Sequence, residues 1–473
     1  MIVPPRRPLF YTKKKSNLYR VILWFSLILA GLWLAKQVDI GAIQRPFQPS
    51  PTPTRSVLSY VKEAEAAFAA GQLNDAIDSF QQAATVNPQD VEVWVKLARI
   101  QAYSSNLLTT DAQRIERLQA ALASIDKAIP LAPDDSLVHA TRAFVLDWLW
   151  SATRLAGQDP KKILNEAELE AARALQLDGQ NILGMAYYAE ILVDQQNWSN
   201  AEKVILQAVD RGPEIMDVHR VYAYVLESTS KYKQAIEEYQ KAIQITPNLT
   251  FLYISVGYNY RRLAFESKIT PEKLALYDQA LEFFAKAAHL NTQLKIQDPV
   301  PYIAIAKTYS QKGDFLAAAL NIKKALSFDI SNADIHGQLG IIYFKSRNYE
   351  GSIPALKCSV RGCTAAESCQ ARYGRDCGSN EQSSDITGLP LSNTTVVYYY
   401  TYGSVLAALS IPQRNYCSEA LQVLSEVRSS FAKDENIIGI VSAGEQICQS
   451  LAQDIIQTPT PFPTKTPIPT PKP

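Results

Sequence analysis

The sequence predicts an all-α protein: an α-solenoid of about nine helix-turn-helix units, preceded by one N-terminal transmembrane helix. Three observations carry this. Small residues and an aromatic recur at helical spacing just before a proline. The recurrence has a fixed period, since Ala201 to Ala235 and Pro213 to Pro247 are each 34 residues apart. And of 26 prolines only 12 lie between Val57 and Gln457, as a helical array requires, because proline lacks the N–H that a helix interior needs.

The second helix of each unit shows its packing face directly. In "YKQAIEEYQKAIQITPN", Ala235, Tyr239 and Ala242 fall on one helical face and Pro247 ends the helix. Two alanines let a neighbouring backbone come close, and the tyrosine fills the gap beside them. The same face returns as Ala76, Phe80 and Ala83 before Pro88, and as Ala201, Ile205 and Ala208 before Pro213. The first helix of each unit brings its own small residue and aromatic: Gly257 with Tyr260, Ala306 with Tyr309, Gly340 with Tyr343. A period in the range of about 20–50 residues marks a repeat array.

On these residues the chain resembles the tetratricopeptide repeat family. The clearest unit is "PYIAIAKTYSQKGDFLAAALNIKKAL", with Tyr302, Ala306, Tyr309, Gly313, Ala318 and Ala325. Good units begin near Val57, Ile182, Met216, Pro299 and Ala333. Looser ones begin near Val91, Ser136, Thr250 and Val396, with extra residues between their two helices. The resemblance runs from about Val57 to Leu451. It implies a right-handed solenoid whose concave surface binds another protein or peptide.

The N-terminus sets the expected compartment. "VILWFSLILAGLWLA", Val21 to Ala35, is apolar except for Ser26, and Arg6, Arg7, Lys13, Lys14, Lys15 and Arg20 precede it. Basic residues stay cytoplasmic, so the repeats should lie outside. A cleaved signal peptide is the alternative, but Trp33 and Leu34 crowd the cleavage position. The expected organisation is a basic cytoplasmic tail at 1–18, a signal anchor in the cell membrane at 19–38 and a proline-rich linker at 39–56. The solenoid follows at 57–457, with a cysteine-rich insert at 358–393, and then a disordered Thr/Pro-rich tail at 458–473.

All six cysteines, Cys358, Cys363, Cys369, Cys377, Cys417 and Cys448, lie in the exported part and suit disulfides. Zinc is the rival, but the insert holds no Cys-x-x-Cys pair and no histidine. Cys417 with Cys448 is the expected bridge at the C-terminal end; the four insert cysteines could pair in three ways.

The motif search finds no phosphate loop, no nucleophile elbow and no zinc-protease motif, so no enzyme activity, catalytic residue, metal or cofactor is expected. His139, His219 and His336 occupy the first-helix slot held elsewhere by Trp94, Tyr253 and Tyr302, and read as packing residues. A net charge of +1 gives no case for nucleic acid. The expected function is a membrane-tethered extracytoplasmic scaffold; the alternative is a structural envelope component attached to wall or glycan through the Thr/Pro tail. In the family resembled, ligands lie along the groove of first helices. The helical phase then points to Arg220, Tyr224, Tyr258, Arg261, Arg262 and Lys307, a surface suited to an acidic peptide or a C-terminal carboxylate.

Overall fold

The computed structural model describes residues 17–40, 55–156, 160–379 and 381–457. The basic residues before 17, most of the proline-rich linker and the Thr/Pro tail lie outside the described residues. The chain divides into two compact units, 1–55 and 56–473.

Among its described residues the first unit contains one helix, α1 (Leu18–Asp39). Its stretch Leu18–Gln37 buries none of its apolar surface and is long and apolar enough to cross a bilayer. At about 1.5 Å per residue those 20 residues match a hydrocarbon core of about 30 Å.

Among the described residues the regular structure of the second unit is helical, with two isolated bridges and no strand. Its helices follow as antiparallel pairs: α2 (Val57–Ala69) and α3 (Leu73–Val86), α4 (Val91–Ser104) and α5 (Asp111–Ala128), α6 (Ser136–Leu155) and α7 (Lys161–Leu177). Next come α8 (Ile182–Asp194) and α9 (Trp198–Arg211), α10 (Met216–Ser228) and α11 (Tyr232–Ile245), α12 (Thr250–Glu266) and α13 (Thr270–Leu294). The array continues with α14 (Val300–Lys312) and α15 (Phe315–Leu326), then α16 (Ala333–Lys345) and α17 (Tyr349–Val360). After α18 (Ala365–Tyr373), inside the cysteine-rich insert, α19 (Val396–Ala408) and α20 (Cys417–Ser430) pair, and α21 (Glu435–Gln457) closes the end. All nine anticipated starts coincide with a first helix to within one residue.

Local chemistry explains the repeat. First helices are capped by Asp90, Asp135, Asn181 and Asn332, whose side chains accept the free N–H groups of the opening turn. The small-residue faces are fully buried: Ala76 and Ala83, Ala201 and Ala208, Ala235 and Ala242 have no exposed surface. Where the first helix crosses the second most closely, a methyl at Gly257 would overlap the ring of Phe284.

Each proline turn is also tied to the next helix. Trp94 Nε1 donates to the carbonyl of Pro88 (2.9 Å), the Tyr253 hydroxyl to that of Pro247 (2.8 Å), and His219 Nε2 to that of Pro213 (2.8 Å). His139 does the same to Pro133 and His336 to the carbonyl of Ile330. In these five units the first-helix slot holds an aromatic whose ring N–H or hydroxyl donates to the carbonyl six residues before it.

His219 has a second partner, with Nδ1 2.6 Å from Glu238 Oε2. With a carbonyl on one nitrogen and a carboxylate on the other, the ring satisfies both only as imidazolium. The bond to Glu238 raises the His219 pKa above its ordinary value of 6.5. Burial would lift the Glu238 pKa, but the bonds from His219 and Lys241 outweigh it and hold the value below 4.5. The histidine's contribution is complete below its unfolded pKa and is lost as pH rises through the raised folded one. The carboxylate's is present above its unfolded pKa and lost as pH falls through the lowered one. His219→Gln is therefore expected to destabilise most between about pH 4.5 and 6.5 and progressively less above that window, which thermal melts at stepped pH will show.

The turn inside the units repeats one backbone feature. Two residues before the second helix the chain turns left-handed, at Gly71 (φ 80°), Gln196 (62°), Ser230 (60°), Gly313 (85°) and Arg347 (62°). Three of these carry a Cβ that the conformation disfavours. Ser230→Gly and Arg347→Gly are each expected to add about 0.5–1 kcal/mol of stability, and Gly313→Ala to remove about 1 kcal/mol. Nothing lies within 4 Å of a Cβ at Gly313, so that loss is conformational and not steric. Urea midpoints at unchanged m-value check all three.

The array coils back on itself. Asn248, ending the fifth pair, donates to the carbonyl of Ala69 in the first pair (2.8 Å). Further along, Asn332 reaches Thr109 (2.7 Å), and Ser392 and Thr394 both donate to Asp111 (3.3 and 2.5 Å). Thr109, in the connection between α4 and α5, and Asp111, which opens α5, take these later contacts.

The six cysteines stand at disulfide distance in three pairs: Cys358 with Cys363, Cys369 with Cys377, and Cys417 with Cys448, their Cα atoms 4.7, 5.3 and 5.4 Å apart.

Candidate partner-binding groove

First helices line the inside of the coil, and charged residues on them meet across it. Asp217 on α10, 1% exposed, accepts from Arg99 Nη2 (2.6 Å) and the Tyr103 hydroxyl (2.5 Å), both on α4, and from Arg220 Nε (3.3 Å). Burial alone would raise the Asp217 pKa, but Arg99 and Arg220 hold it below its ordinary value. Arg220, itself buried, donates both terminal nitrogens to Glu190 on α8 (2.7 and 2.8 Å). Its guanidinium also lies 5.4 Å from the ring centroids of Phe144 and Trp148.

The six anticipated groove residues divide in two. Arg220 and Tyr224 sit on the inner wall with their polar ends engaged: Arg220 as above, and Tyr224 donating to Asp194 (2.5 Å). Tyr258, Arg261, Arg262 and Lys307 come together around one cavity of about 790 Å³. Arg261 donates to Gln311 (3.0 Å) and lies 5.5 Å from the Tyr258 ring centroid. Arg262 and Lys307 make no ion pair among the described residues.

The electrostatics of this cavity are one-sided. Burial lowers the Lys307 pKa, and the nearby charges of Arg261, Arg114 and Lys345 add to that against the pull of Asp334. Glu227 is the one acid in the lining, and burial pushes its pKa to about 7 despite bonds from Asn259 and Tyr239. Around neutral pH much of that carboxyl is protonated, and the cavity keeps a positive excess.

Two smaller cavities continue the groove. One of about 260 Å³ shares Tyr258 and Lys307 with the basic cavity, and another of about 270 Å³ shares Arg114 and Phe251 with its neighbour. The last is lined by Asp147, Glu190 and Asp194. Sequence reasoning missed these acids and Asp217. The available signal was an acid inside an otherwise apolar helix, as in "FVLDWLW" and "YYAEILVD". Among the described residues no group of three or more His, Cys, Asp or Glu is arranged to hold a metal ion.

An all-α solenoid of paired helices with a polar inner groove defines a repeat scaffold, a class whose use is to hold other molecules along an extended surface. The chain carries tetratricopeptide repeats: the family model described as "Tetratricopeptide repeat" matches residues 61–136 and 188–249. No curated protein matches the sequence. Solved structures with a TM-score of 0.50 or above share the fold. The human IFIT1 dimer with PPP-AAAA is 17% identical, over 85% of this chain and 92% of that one, at TM-score 0.50. The human IFIT1 dimer with m7Gppp-AAAA is 15% identical, over 87% and 92%, at 0.51. Yeast Tom70 is 13% identical, over 85% and 92%, at 0.48.

Proposed function

We propose that the chain is a membrane-tethered scaffold, with its repeats outside the cytoplasm, that binds an acidic peptide segment of another protein in the groove. The observation that carries this is the cavity in which Arg262 and Lys307 make no ion pair among the described residues while Arg261 is held by a neutral amide. Guanidinium groups engage carboxylates through two parallel bonds, and Tyr258 offers a flat wall beside them. The apolar helix α1 and the basic residues before it support the tether and its direction.

The test uses the full chain in detergent micelles and acidic peptides, some with a free C-terminal carboxylate. Arg261→Glu with Arg262→Glu is expected to weaken the best peptide at least tenfold while leaving the thermal melt intact. Unchanged affinity would remove the groove from consideration. Phosphate is the competing anion, so a PPP-AAAA oligonucleotide is run in parallel; tighter binding of that probe than of every peptide would overturn the peptide reading.

A further inference from the structure

The groove is polar in the electrical sense, and its acidic end holds an unsatisfied group. Asp147 on α6 is 2% exposed, and its Oδ1 has no hydrogen-bond partner among the described residues. It lines the cavity of about 270 Å³ beside Asp194. The cations near it are committed: Arg220 to Glu190 and Asp217, and Arg114 to Asp111 (3.3 Å). Arg154, which acts on Asp194 at longer range, lies with its guanidinium 4.8 Å from the Trp150 ring centroid. Tyr224 bonds to Asp194, and Trp148 donates to Glu190 (3.0 Å). Among the described residues no cation of this lining makes an ion pair with Asp147 or Asp194. Burial, and then the mutual repulsion of these acids, raises the Asp147 pKa well above its ordinary value; burial raises that of Asp194 to about 6.

We propose that this cavity receives a cationic group, a primary ammonium or a guanidinium on an aliphatic stem, bound between Asp147 and Asp194 and walled by Trp148, Tyr224 and Phe251. Asp147, in the lining, carries the buried oxygen without a hydrogen-bond partner among the described residues that such a group would satisfy. The aromatic walls suit both the cation and its stem. The volume is several times the roughly 30 Å³ that one water takes in the liquid, enough for the end of a lysine or arginine side chain.

The experiment is calorimetric titration of the full chain in micelles at pH 8. The probes are agmatine, the peptide Ac-Gly-Arg-Gly-NH2 and its neutral citrulline counterpart. Either cationic probe should bind, the citrulline peptide at least tenfold more weakly, and affinity should fall as pH drops through about 6 because protons compete. Tighter binding of the peptide identifies a protein side chain as the source, and tighter binding of agmatine a free amine. Asp147→Asn should reduce affinity at least tenfold while keeping or raising the melting temperature, since its amide can donate to Asp194. Arg261→Glu with Arg262→Glu should leave this binding intact, which separates it from the acidic-peptide site. Absence of binding, equal binding of the citrulline peptide, or undiminished binding by Asp147→Asn overturns the proposal.

Discussion

Asp217→Ala is expected to destabilise the protein by about 3–5 kcal/mol, the cost of breaking a buried charge cluster from one side. The carboxylate is shared by Arg99 and Arg220, and the Tyr103 hydroxyl depends on it as well. Removal leaves Arg99 facing the coil interior with two tyrosines and no anion, because Glu190 is taken by Arg220. Asp217→Asn keeps the shape and one acceptor oxygen, and should cost less than Asp217→Ala. Chemical denaturation of the three proteins checks the order. A loss below 1 kcal/mol for the alanine variant would show that water enters and replaces the carboxylate.

Breaking the C-terminal clasp is expected to be nearly as costly. If Cys417 and Cys448 are bonded, they close a loop with a sequence separation of 31, and replacing both by alanine should remove roughly 3–4 kcal/mol. The apolar environment argues for alanine over serine: both residues are buried in the cluster formed by Val423, Leu424 and Val441. Non-reducing peptide mapping of protein from its native compartment comes first, and free thiols there would cancel the prediction. The loss should concentrate in α20 and α21, so amide exchange in that segment is the most direct readout.

The repeat was legible because its signal is local. An alanine face with an aromatic and a proline recur within a few turns of helix, and each start from Val57 to Val396 could be placed from neighbours alone. The basic cavity was partly legible, because helical phase finds what faces inward. Phase does not say what is already there. Arg220 was placed on the groove wall from the sequence, yet its partners Glu190 and Asp217 are 30 and 3 residues away and lie on that same wall. The link from Arg99 to Asp217 spans 118 residues and exists only because the array coils. The insert cysteines stayed open for a related reason: three pairings fit the spacing, and only the fold of α17 and α18 brings Cys358 to Cys363 and Cys369 to Cys377.

The bond from Asn248 to Ala69 changes what kind of folding unit this is. An open repeat array behaves like a row of dominoes, each unit stabilised by the two beside it, so its ends fray and its middle survives. Here the fifth pair touches the first, and the residues around Asp111 touch those around Ser392, 281 positions on. Each unit near these seams answers to units a full turn away. Loss of the segment around Ser392 therefore loosens the second pair as well, and the chain must bring distant segments together before those seams can form, which slows folding relative to an open array of the same length.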